Sequence, residues 1–352
     1  MELSLKELKK GFSPDQDFLL EIPELTIRKG ELFGIIGQSG CGKTTLLRII
    51  AGLLTPDKGK VFLQGKDVTS IPSERRGIAM VFQQDRLFPY MNIIDNVAFG
   101  LKMKGISKKE RYVRSSEFLS SLGLQGYEKR YPLELSGGQR QRVSLARALV
   151  MNPSLVLMDE PFSALDPNLR KEMRDLVLDL HEKYGMTTLF VTHDREEAFY
   201  LFQRMAIIVN GRVTEKGIPR QLYEHPSKVE TAAFLGIENI FQGTFYEDTF
   251  SSDKFLIPIK GFKKKGRTGY LIIRPELIEL VNNPEENARD IMNGMISQIS
   301  YSQGILHLRI ETPGGVSFHL VDTDKQNDLH KGDPVRFRIP DRDIIFLPEE
   351  RG

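Results

Sequence analysis

Short apolar runs alternate with amphipathic segments along the first two-thirds of the chain. Apolar runs of strand length, which predict buried strands, occur at residues 32–36, 155–158 and 188–191. Residues 44–51 have a helical pattern, and apolar side chains recur at helical spacing between Leu169 and Leu180, with a stop at Gly185. Because strands alternate with helices, we expect an α/β domain with a parallel sheet and crossover helices.

Two regions depart from this alternation. Residues from about 84 to 151 contain few strand-like runs, so we interpret them as a helical subdomain inserted into a sheet domain of residues 1–235. After Gly236 the pattern alternates residue by residue, which favours a small all-β domain, a barrel, over residues 236–352. A hairpin and one further strand are predicted there, at residues 305–320 and 335–339.

Length, charge and cysteine content narrow the class of protein. The 352 residues suffice for about two domains. Lys plus Arg number 49 against 47 Asp plus Glu, and this balance gives no support to a nucleic-acid partner. Cys41 is the only cysteine, which excludes an intrachain disulfide and fits a reducing compartment.

Neither a secretory signal nor a membrane span is expected from the hydropathy pattern. The first residues lack a basic segment followed by an apolar run. No stretch reaches the ~18 apolar residues that a membrane helix requires. A role at a membrane would therefore require docking onto another chain.

A glycine-rich segment follows the first predicted strand and matches the pattern G-x-x-x-x-G-K-[ST]. Its glycines allow backbone N–H groups to converge on phosphate oxygens, and the following helix adds partial positive charge. Lys43 is expected to reach the β- and γ-phosphates, and the Thr44 hydroxyl to ligate Mg²⁺. The residues predicted to bind ATP here are Gly37, Gln38, Ser39, Gly40, Cys41, Gly42, Lys43, Thr44 and Thr45.

Cys41 within this segment has two interpretations. It could be a redox switch on ATP binding, or a small side chain at a variable position. Reactivity requires exposure and a lowered pKa, so the second interpretation is favoured.

An acidic pair, Asp159 and Glu160, ends the strand predicted at residues 155–158. Carboxylates at the carboxyl ends of parallel strands lie in the crevice where α/β proteins bind ligands. Asp159 is expected to hold Mg²⁺, and Glu160 to act as general base or to orient the attacking water. Beside a phosphate loop, this pair predicts hydrolysis of a nucleoside triphosphate.

Residues 135–139 read Leu-Ser-Gly-Gly-Gln and precede a predicted helix and the acidic pair. A serine, two glycines and a helix N-terminus form a second anion site. These motifs, in this order, resemble the ATP-binding subunits of ABC transporters. The resemblance implies a P-loop NTPase fold and a head-to-tail homodimer. In that dimer, ATP on Lys43 of one copy is contacted by residues of the other, Ser136, Gly137, Gly138, Gln139 and Asp166.

Further residues match the family's motifs. Gln83 resembles the Q-loop glutamine, which contacts Mg²⁺ and senses the membrane partner, so the implied metal ligands are Thr44, Gln83 and Asp159. Residues 163–166 resemble the D-loop, which crosses the dimer interface. His193 resembles the switch histidine that contacts the γ-phosphate. The resemblance therefore implies Lys43, Glu160 and His193 as the catalytic set.

An aromatic side chain upstream of the phosphate loop stacks on adenine in this family. Phe12 is our choice for that role, and Phe18 is the alternative, because residues 13–17 then belong to a longer loop. A core position is open for either, since aromatic side chains are commonly buried.

The last third resembles the TOBE-type β extension of prokaryotic import ATPases, with a matching short motif at residues 273–276. Residues 195–198 and 272–276 favour importers of ferric iron or of an oxyanion such as sulfate or molybdate. Importers of polyamines and sugars share most of this pattern and stay open as alternatives.

The resemblance also implies partners and a location. The partners are integral-membrane permease subunits, docked around residues 83–91, and indirectly an external substrate-binding protein. The location is a peripheral position on the cytoplasmic face of the inner membrane. Soluble ABC ATPases of DNA repair or translation are a rival class, but they carry a long coiled-coil insertion or two fused ATPase domains. A second rival is a regulatory module whose barrel senses the transported ion.

Overall fold

A computed structural model describes residues 1–11, 19–246, 249–253, 255–258, 266–281, 291–302, 304–322, 328–340 and 344–349. The chain forms two compact units, Met1–Pro219 and Arg220–Gly352. This division lies earlier than the domain boundary at 235/236 expected from the sequence pattern, and that boundary stays a prediction.

The first unit is built on a mixed sheet. Its strands are β1 Leu3–Gly11, β2 Leu19–Ile27, β3 Leu32–Gly37, β4 Lys58–Leu63, β5 Lys66–Asp67, β6 Ile78–Val81, β7 Leu155–Asp159, β8 Thr188–Thr192, β9 Arg204–Val209 and β10 Arg212–Gly217. Among the described residues, their order across the sheet is β5-β4-β1-β2-β10-β9-β3-β8-β7-β6.

The parallel half of this sheet, β9-β3-β8-β7-β6, confirms the predicted architecture. Strands β3, β7 and β8 are buried along their whole length, as their apolar sequences require. In the register, Ile36 lies beside Thr192, and Asp159 lies beside Val191. The carboxyl ends of three strands therefore meet at one edge of the sheet.

The rest of the sheet is mainly antiparallel, which the sequence pattern did not predict, and β10 pairs parallel with β2. Strand β1 pairs antiparallel with both β2 and β4. Leu3, Leu5 and Leu8 are fully buried, while polar side chains between them face outward. Such alternation is typical of an antiparallel sheet with one solvated face.

Six helices accompany the sheet in the described part of the first unit. They are α1 Lys43–Ala51, α2 Ile93–Met103, α3 Lys108–Ser121, α4 Gly137–Leu149, α5 Pro167–Tyr184 and α6 Arg195–Leu201. Helices α2, α3 and α4 fall in the stretch predicted to be helical. Helix α5 begins at a capping Asp166 and ends at Gly185, whose φ of 58° is left-handed, so the predicted stop is confirmed.

The second unit contains α7 Pro219–Glu224 at its start, then α8 Val229–Phe234, then two antiparallel sheets. The strands are β11 Asn239–Tyr246, β12 Thr249–Ser251, β13 Leu256–Pro258, β14 Thr268–Ile273, β15 Glu279–Leu280, β16 Ile291–Ser302, β17 Ile305–Glu311, β18 Ser317–Asp322, β19 Pro334–Arg338 and β20 Ile345–Pro348. Within the described residues, the sheet orders are β13-β12-β11-β14-β20 and β15-β19-β16-β17-β18.

Both sheets of the second unit contribute to one apolar core. Phe245 and Leu271 come from one sheet, and Leu308 and Phe318 from the other. The predicted hairpin is present as β17 paired antiparallel with β18. These strands confirm the small all-β domain expected from the alternating sequence pattern.

Candidate functional site

The phosphate loop connects the end of β3 to the start of α1. Gly40 and Gly42 have left-handed φ values of 83° and 101°, which side chains rarely tolerate. A Cβ at Gly37 would lie 2.4 Å from the carbonyl oxygen of Ile208 on β9. The glycines therefore permit both the turn and its close approach to the sheet.

Lys43 lies inside this loop with only 4% of its surface exposed. Its Nζ donates hydrogen bonds to the carbonyl oxygens of Gly37 at 2.7 Å and Gln38 at 2.8 Å. The same Nζ lies 3.7 Å from Glu160 Oε1. The ammonium group thus stands between the loop and the acidic pair.

Thr44 and Asp159 are joined across the crevice. Thr44 Oγ1 donates a hydrogen bond to Asp159 Oδ1 at 2.9 Å. Burial raises the pKa of Asp159, and nearby Glu160 adds to this, while the Thr44 hydrogen bond opposes it. A hydroxyl and a buried carboxylate are hard oxygen donors, so this pair fits Mg²⁺.

No cluster of three or more His, Cys, Asp or Glu side chains suited to a metal occurs in the described part of the chain. This is compatible with Mg²⁺, because Mg²⁺ in phosphate-binding sites keeps several waters and uses one or two protein carboxylates plus substrate phosphates.

Glu160 and His193 come from the ends of neighbouring strands β7 and β8. Glu160 Oε2 lies 3.0 Å from His193 Nδ1. The backbone N–H of Glu160 donates to the carbonyl oxygen of Val191 at 2.9 Å, and its φ is 45°. Glu160 therefore contacts both Lys43 and His193.

The turn that carries His193 is fixed by a buried carboxyl group. Thr192 Oγ1 donates to Glu197 Oε2 at 2.5 Å and accepts from the backbone N–H of Asp194 at 3.0 Å. Asp194 Oδ1 in turn accepts from two backbone N–H groups of the first turn of α6. Burial raises the pKa of Glu197.

Gln83 reaches the acidic pair through Ser163. Gln83 Nε2 donates to Ser163 Oγ at 3.1 Å, and Ser163 Oγ donates to the carbonyl oxygen of Glu160 at 3.0 Å. The segments that resemble the Q-loop and the D-loop therefore meet beside Glu160.

The signature segment, residues 135–139, spans the N-terminus of α4. Ser136 Oγ accepts from the Gln139 N–H, and Gln139 Oε1 accepts from the Ser136 N–H, so the two residues form a capping box. A Cβ at Gly138 would lie 2.5 Å from Leu169 on α5, which explains a glycine there. Among the residues that the structure describes, no hydrogen bond or ion pair joins this segment to Lys43.

Phe12 and Phe18, the two candidates for adenine stacking, lie outside the described residues. Cys41 is buried, and burial raises the pKa of its thiol. These observations agree with a packed side chain at Cys41 and disagree with a reactive thiolate. A cavity of about 430 Å³ adjoins the loop and is lined by Gln38, Ser39, Gly40, Cys41, Ile208, Val209 and Asn210.

Sequence reasoning missed two residues that shape the surroundings of the site. Asn96 is fully buried on α2, and its amide bonds to the backbone of Phe88, Met91 and Asn92. Arg140 on α4 donates to Asp85 Oδ2 and to the carbonyl oxygen of Leu135. A polar residue on the apolar face of a helix was the available signal for Asn96, whereas Arg140 gave none.

The chain matches known proteins over most of its length. A family model described as "ABC transporter" matches residues 20–163. "Fe(3+) ions import ATP-binding protein FbpC 1" of Pectobacterium atrosepticum is 40% identical over 349 residues, which cover 99% of this chain and 97% of that protein. "Spermidine/putrescine import ATP-binding protein PotA" of Hahella chejuensis is 38% identical over 322 residues, covering 89% and 87%.

A solved structure is similar in fold and sequence. The ATP-binding cassette MJ0796, in a dimeric post-hydrolysis state bound to ADP and Pi, is 32% identical with a TM-score of 0.55. The match covers 62% of this chain and 99% of that one. In the part of the chain that the structure describes, no helix is long and apolar enough to cross a membrane. With the phosphate loop, acidic pair and signature segment in place, the chain belongs to the ABC transporter family, among the ATP-binding subunits that power prokaryotic importers.

Proposed function

We propose that this subunit hydrolyses Mg-ATP as a head-to-tail homodimer and drives import of an inorganic ion, ferric iron in the first place. The observation that carries the catalytic part is the position of Glu160, which contacts both Lys43 and His193 beside the Thr44–Asp159 pair. Phosphoryl transfer to water requires a base, a cation and oxygen ligands for Mg²⁺, and all three lie at the same edge of the sheet.

Each residue has a role in this proposal. Lys43 and the loop amides bind the β- and γ-phosphates, and Glu160 accepts a proton from the attacking water. His193 donates to the γ-phosphate and is held by its contact with Glu160. Mg²⁺, held by Thr44, Asp159 and Gln83, would offset the negative charge of the phosphates. Phe12, or Phe18, would stack on adenine.

The second copy completes the site. The capping box leaves the N-terminus of α4 ordered and exposed, which suits a phosphate brought by another molecule. Ser136, Gly137, Gly138 and Gln139 of one copy would close on ATP bound to the other, together with Asp166. The dimeric state of the related cassette MJ0796 supports this arrangement.

A permease would dock beside Gln83, and the subunit would then lie on the cytoplasmic face of the inner membrane. Tyr90 is 94% exposed, and Phe88, close to it in the sequence, and Tyr131, which lines the same cavity, are also exposed. Tyr90 and Tyr131 lie at a cavity of about 230 Å³, whose lining residues are Tyr90, Met91, Asn92, Asp95, Ala98, Phe99, Lys102, Arg111 and Tyr131. Exposed apolar patches of this kind mark protein interfaces, and Asn96 holds the loop that presents this one.

The transported ion is inferred from relatives. A ferric-iron import protein aligns with nearly the whole chain, which supports iron as cargo. The polyamine import relative is similar over a somewhat shorter stretch and keeps a polyamine as the second candidate. An oxyanion or a sugar would be third choices. Cargo would reach the permease from an external substrate-binding protein.

Replacement of Glu160 by Gln tests the catalytic part. Glu160→Gln should lower steady-state ATP turnover by at least about 100-fold, because a general base is lost, and should leave ATP binding intact. Turnover would be measured as phosphate release and binding by fluorescent-nucleotide titration. Wild-type turnover in the variant would refute the assignment.

Purification of the tagged subunit from its native membranes tests the transport part. A permease should copurify, and ATPase activity of the reconstituted complex should rise with iron-loaded binding protein. Stimulation by a polyamine instead would move the cargo to the second candidate. Recovery with ribosomes or DNA would favour the soluble class of ABC ATPases.

A further inference from the structure

We propose that Arg170 is a positioning residue that couples the D-loop segment, residues 163–166, to the turn that carries His193. Through this link the contact made by the second copy at Asp166 sets the position of His193. The inference rests on the proposed function, because it takes the interface role of Asp166 and the phosphate contact of His193 from there.

Arg170 bridges the two segments with the two ends of its guanidinium group. Its Nη1 donates to Asp194 Oδ2 at 3.3 Å, and its Nη2 donates to the carbonyl oxygen of Leu165 at 3.2 Å. The third nitrogen, Nε, is buried and has no hydrogen-bond partner. Because Nε has no partner among the described residues, the two bridging hydrogen bonds are the ones that fix the guanidinium group, and they offset the cost of burying an unpaired donor.

The D-loop end of the bridge is stiff. The carbonyl oxygen of Glu160 accepts from the Ser163 N–H, and the carbonyl oxygen of Phe162 accepts from the Leu165 N–H. Asp166 then caps α5 by accepting from the Leu169 N–H. Because these turns follow one another without a break, a displacement at Asp166 also moves the carbonyl group of Leu165.

The histidine end of the bridge is also stiff. Asp194 accepts from Arg170 with one carboxylate oxygen and from the first turn of α6 with the other. Its backbone N–H is bound to Thr192, whose hydroxyl is bound to the buried Glu197. A displacement of Asp194 therefore also moves His193, which lies between Thr192 and Asp194 in the chain.

Glu160 and His193 are thus connected twice. One connection is their direct 3.0 Å contact, and the other runs through Leu165, Arg170 and Asp194. A ring of this kind orients the base and the histidine together. Loss of the second connection should leave ATP bound but misplace His193 when the dimer closes, and a misplacement of about 1 Å costs up to about 100-fold in rate.

The test compares Arg170→Met with Arg174→Met. Arg174 lies one turn later on α5, also has a buried Nε without a partner, and pairs with Glu196 instead of Asp194. Arg170→Met should lower kcat by about 10- to 100-fold, change the KM for ATP less than about twofold, and bring the Hill coefficient for ATP toward one. Arg174→Met should keep the wild-type kcat and Hill coefficient.

A double-mutant cycle with Asp194→Asn identifies the link itself, since asparagine still caps α6. The double variant Arg170→Met/Asp194→Asn should lose less kcat than the product of the two single losses. Asp194→Asn combined with Arg174→Met should lose the product of their single effects. Arg170→Lys, which lacks the planar fork, should recover only part of the activity. Melting curves of every variant identify any that fail to fold, and the lysine variant then carries the test.

Two results separate this inference from the proposed function. If Glu160→Gln abolishes turnover while Arg170→Met and Arg170→Lys match Arg174→Met in kcat and Hill coefficient, the coupling is refuted and the catalytic assignment stands. If Glu160→Gln turns over normally, the proposed function itself fails.

Discussion

Glu160 and His193 are held 3.0 Å apart by the pairing of the two parallel strands that end beside them. Glu160 has a φ of 45°, a left-handed conformation that costs a non-glycine residue about 1–2 kcal/mol. The conformation is fixed by the hydrogen bond from its N–H to the carbonyl oxygen of Val191. This geometry turns the carboxylate away from the sheet and toward Lys43 and His193.

Replacement of His193 by Ala should lower turnover and spare binding. Its ring is half exposed, so the loss of packing is small, whereas the contact with Glu160 is removed. We expect the rate of a single turnover to fall about 100- to 1,000-fold, because a positioned donor to the developing charge is lost. Rapid-quench measurement of phosphate formation gives the rate, and nucleotide titration gives the affinity.

His225→Ala is the matched control, since His225 is exposed at the end of α7. It should leave both the rate and the affinity at wild-type values. Equal rates in His193→Ala and His225→Ala would exclude His193 from the reaction.

A composite ATP site, formed by residues of both copies, predicts that two inactive variants regain ATPase activity when they are mixed. Lys43→Ala removes the phosphate-binding cation, and Ser136→Arg fills the proposed site of contact with the second copy. In a mixed dimer, one of the two sites keeps both an intact Lys43 and an intact Ser136. An equimolar mixture should therefore regain about a quarter of the wild-type ATPase rate if half of the dimers are mixed.

The rescue is measured by titrating one variant into the other at constant total protein. A mixture of Lys43→Ala with Lys43→Ala/Ser136→Arg is the control, because no dimer in it has an intact site. Activity that stays at the level of this control across the titration would rule out the composite site.

The sequence could predict those parts of the fold and site that depend on residues close together in the chain. The phosphate loop, the acidic pair and the hairpin from β17 to β18 each depend on neighbours in sequence, and each lies where it was expected. His193 was expected only from its order after Glu160, and the structure brings the two into contact.

The remaining features depend on contacts between residues far apart in sequence. Strand β1 pairs antiparallel with β2 and β4, and its alternating leucines do not specify which strands it pairs with. Arg140 reaches Asp85, and Arg170 reaches Asp194, across loops whose path no local pattern specifies. An arginine on a helix surface has the same sequence signature whether it bridges two loops or faces water.

Arg76 should be essential for the stability of the first unit. It is 7% exposed and donates to the carbonyl oxygens of Ile49 and Ile50, near the end of α1, and to those of Thr69 and Ile71. Arg76→Met would remove these four hydrogen bonds, and the two to Ile49 and Ile50 are buried. We expect the free energy of unfolding to fall by about 3 kcal/mol, measured by urea denaturation followed by circular dichroism.

Arg75→Met is the control for Arg76, because the neighbouring Arg75 is exposed. Its urea midpoint should stay at the wild-type value. An equal midpoint for both variants would mean that water replaces the guanidinium group without cost.

Glu197 should make stability depend on pH in a defined direction. Glu197 is 3% exposed, and burial raises its pKa, while the Thr192 hydrogen bond and the charges of Arg170 and Arg174 oppose the rise. The folded chain therefore holds this proton to a higher pH than the unfolded chain does. Its contribution to stability is fully present below the pKa of an unfolded glutamate and is lost as pH rises through the folded pKa.

Glu197→Gln removes this titration and keeps a group of the same shape beside Thr192. The melting temperature of the variant should exceed that of the wild type at neutral pH, where the wild-type carboxylate is charged and buried, and the difference should vanish toward about pH 4. Glu196→Gln, whose side chain is exposed, should show no such trend. A constant difference between the Glu197 variant and the wild type from about pH 4 to 8 would show that the folded and unfolded chains titrate this carboxyl alike.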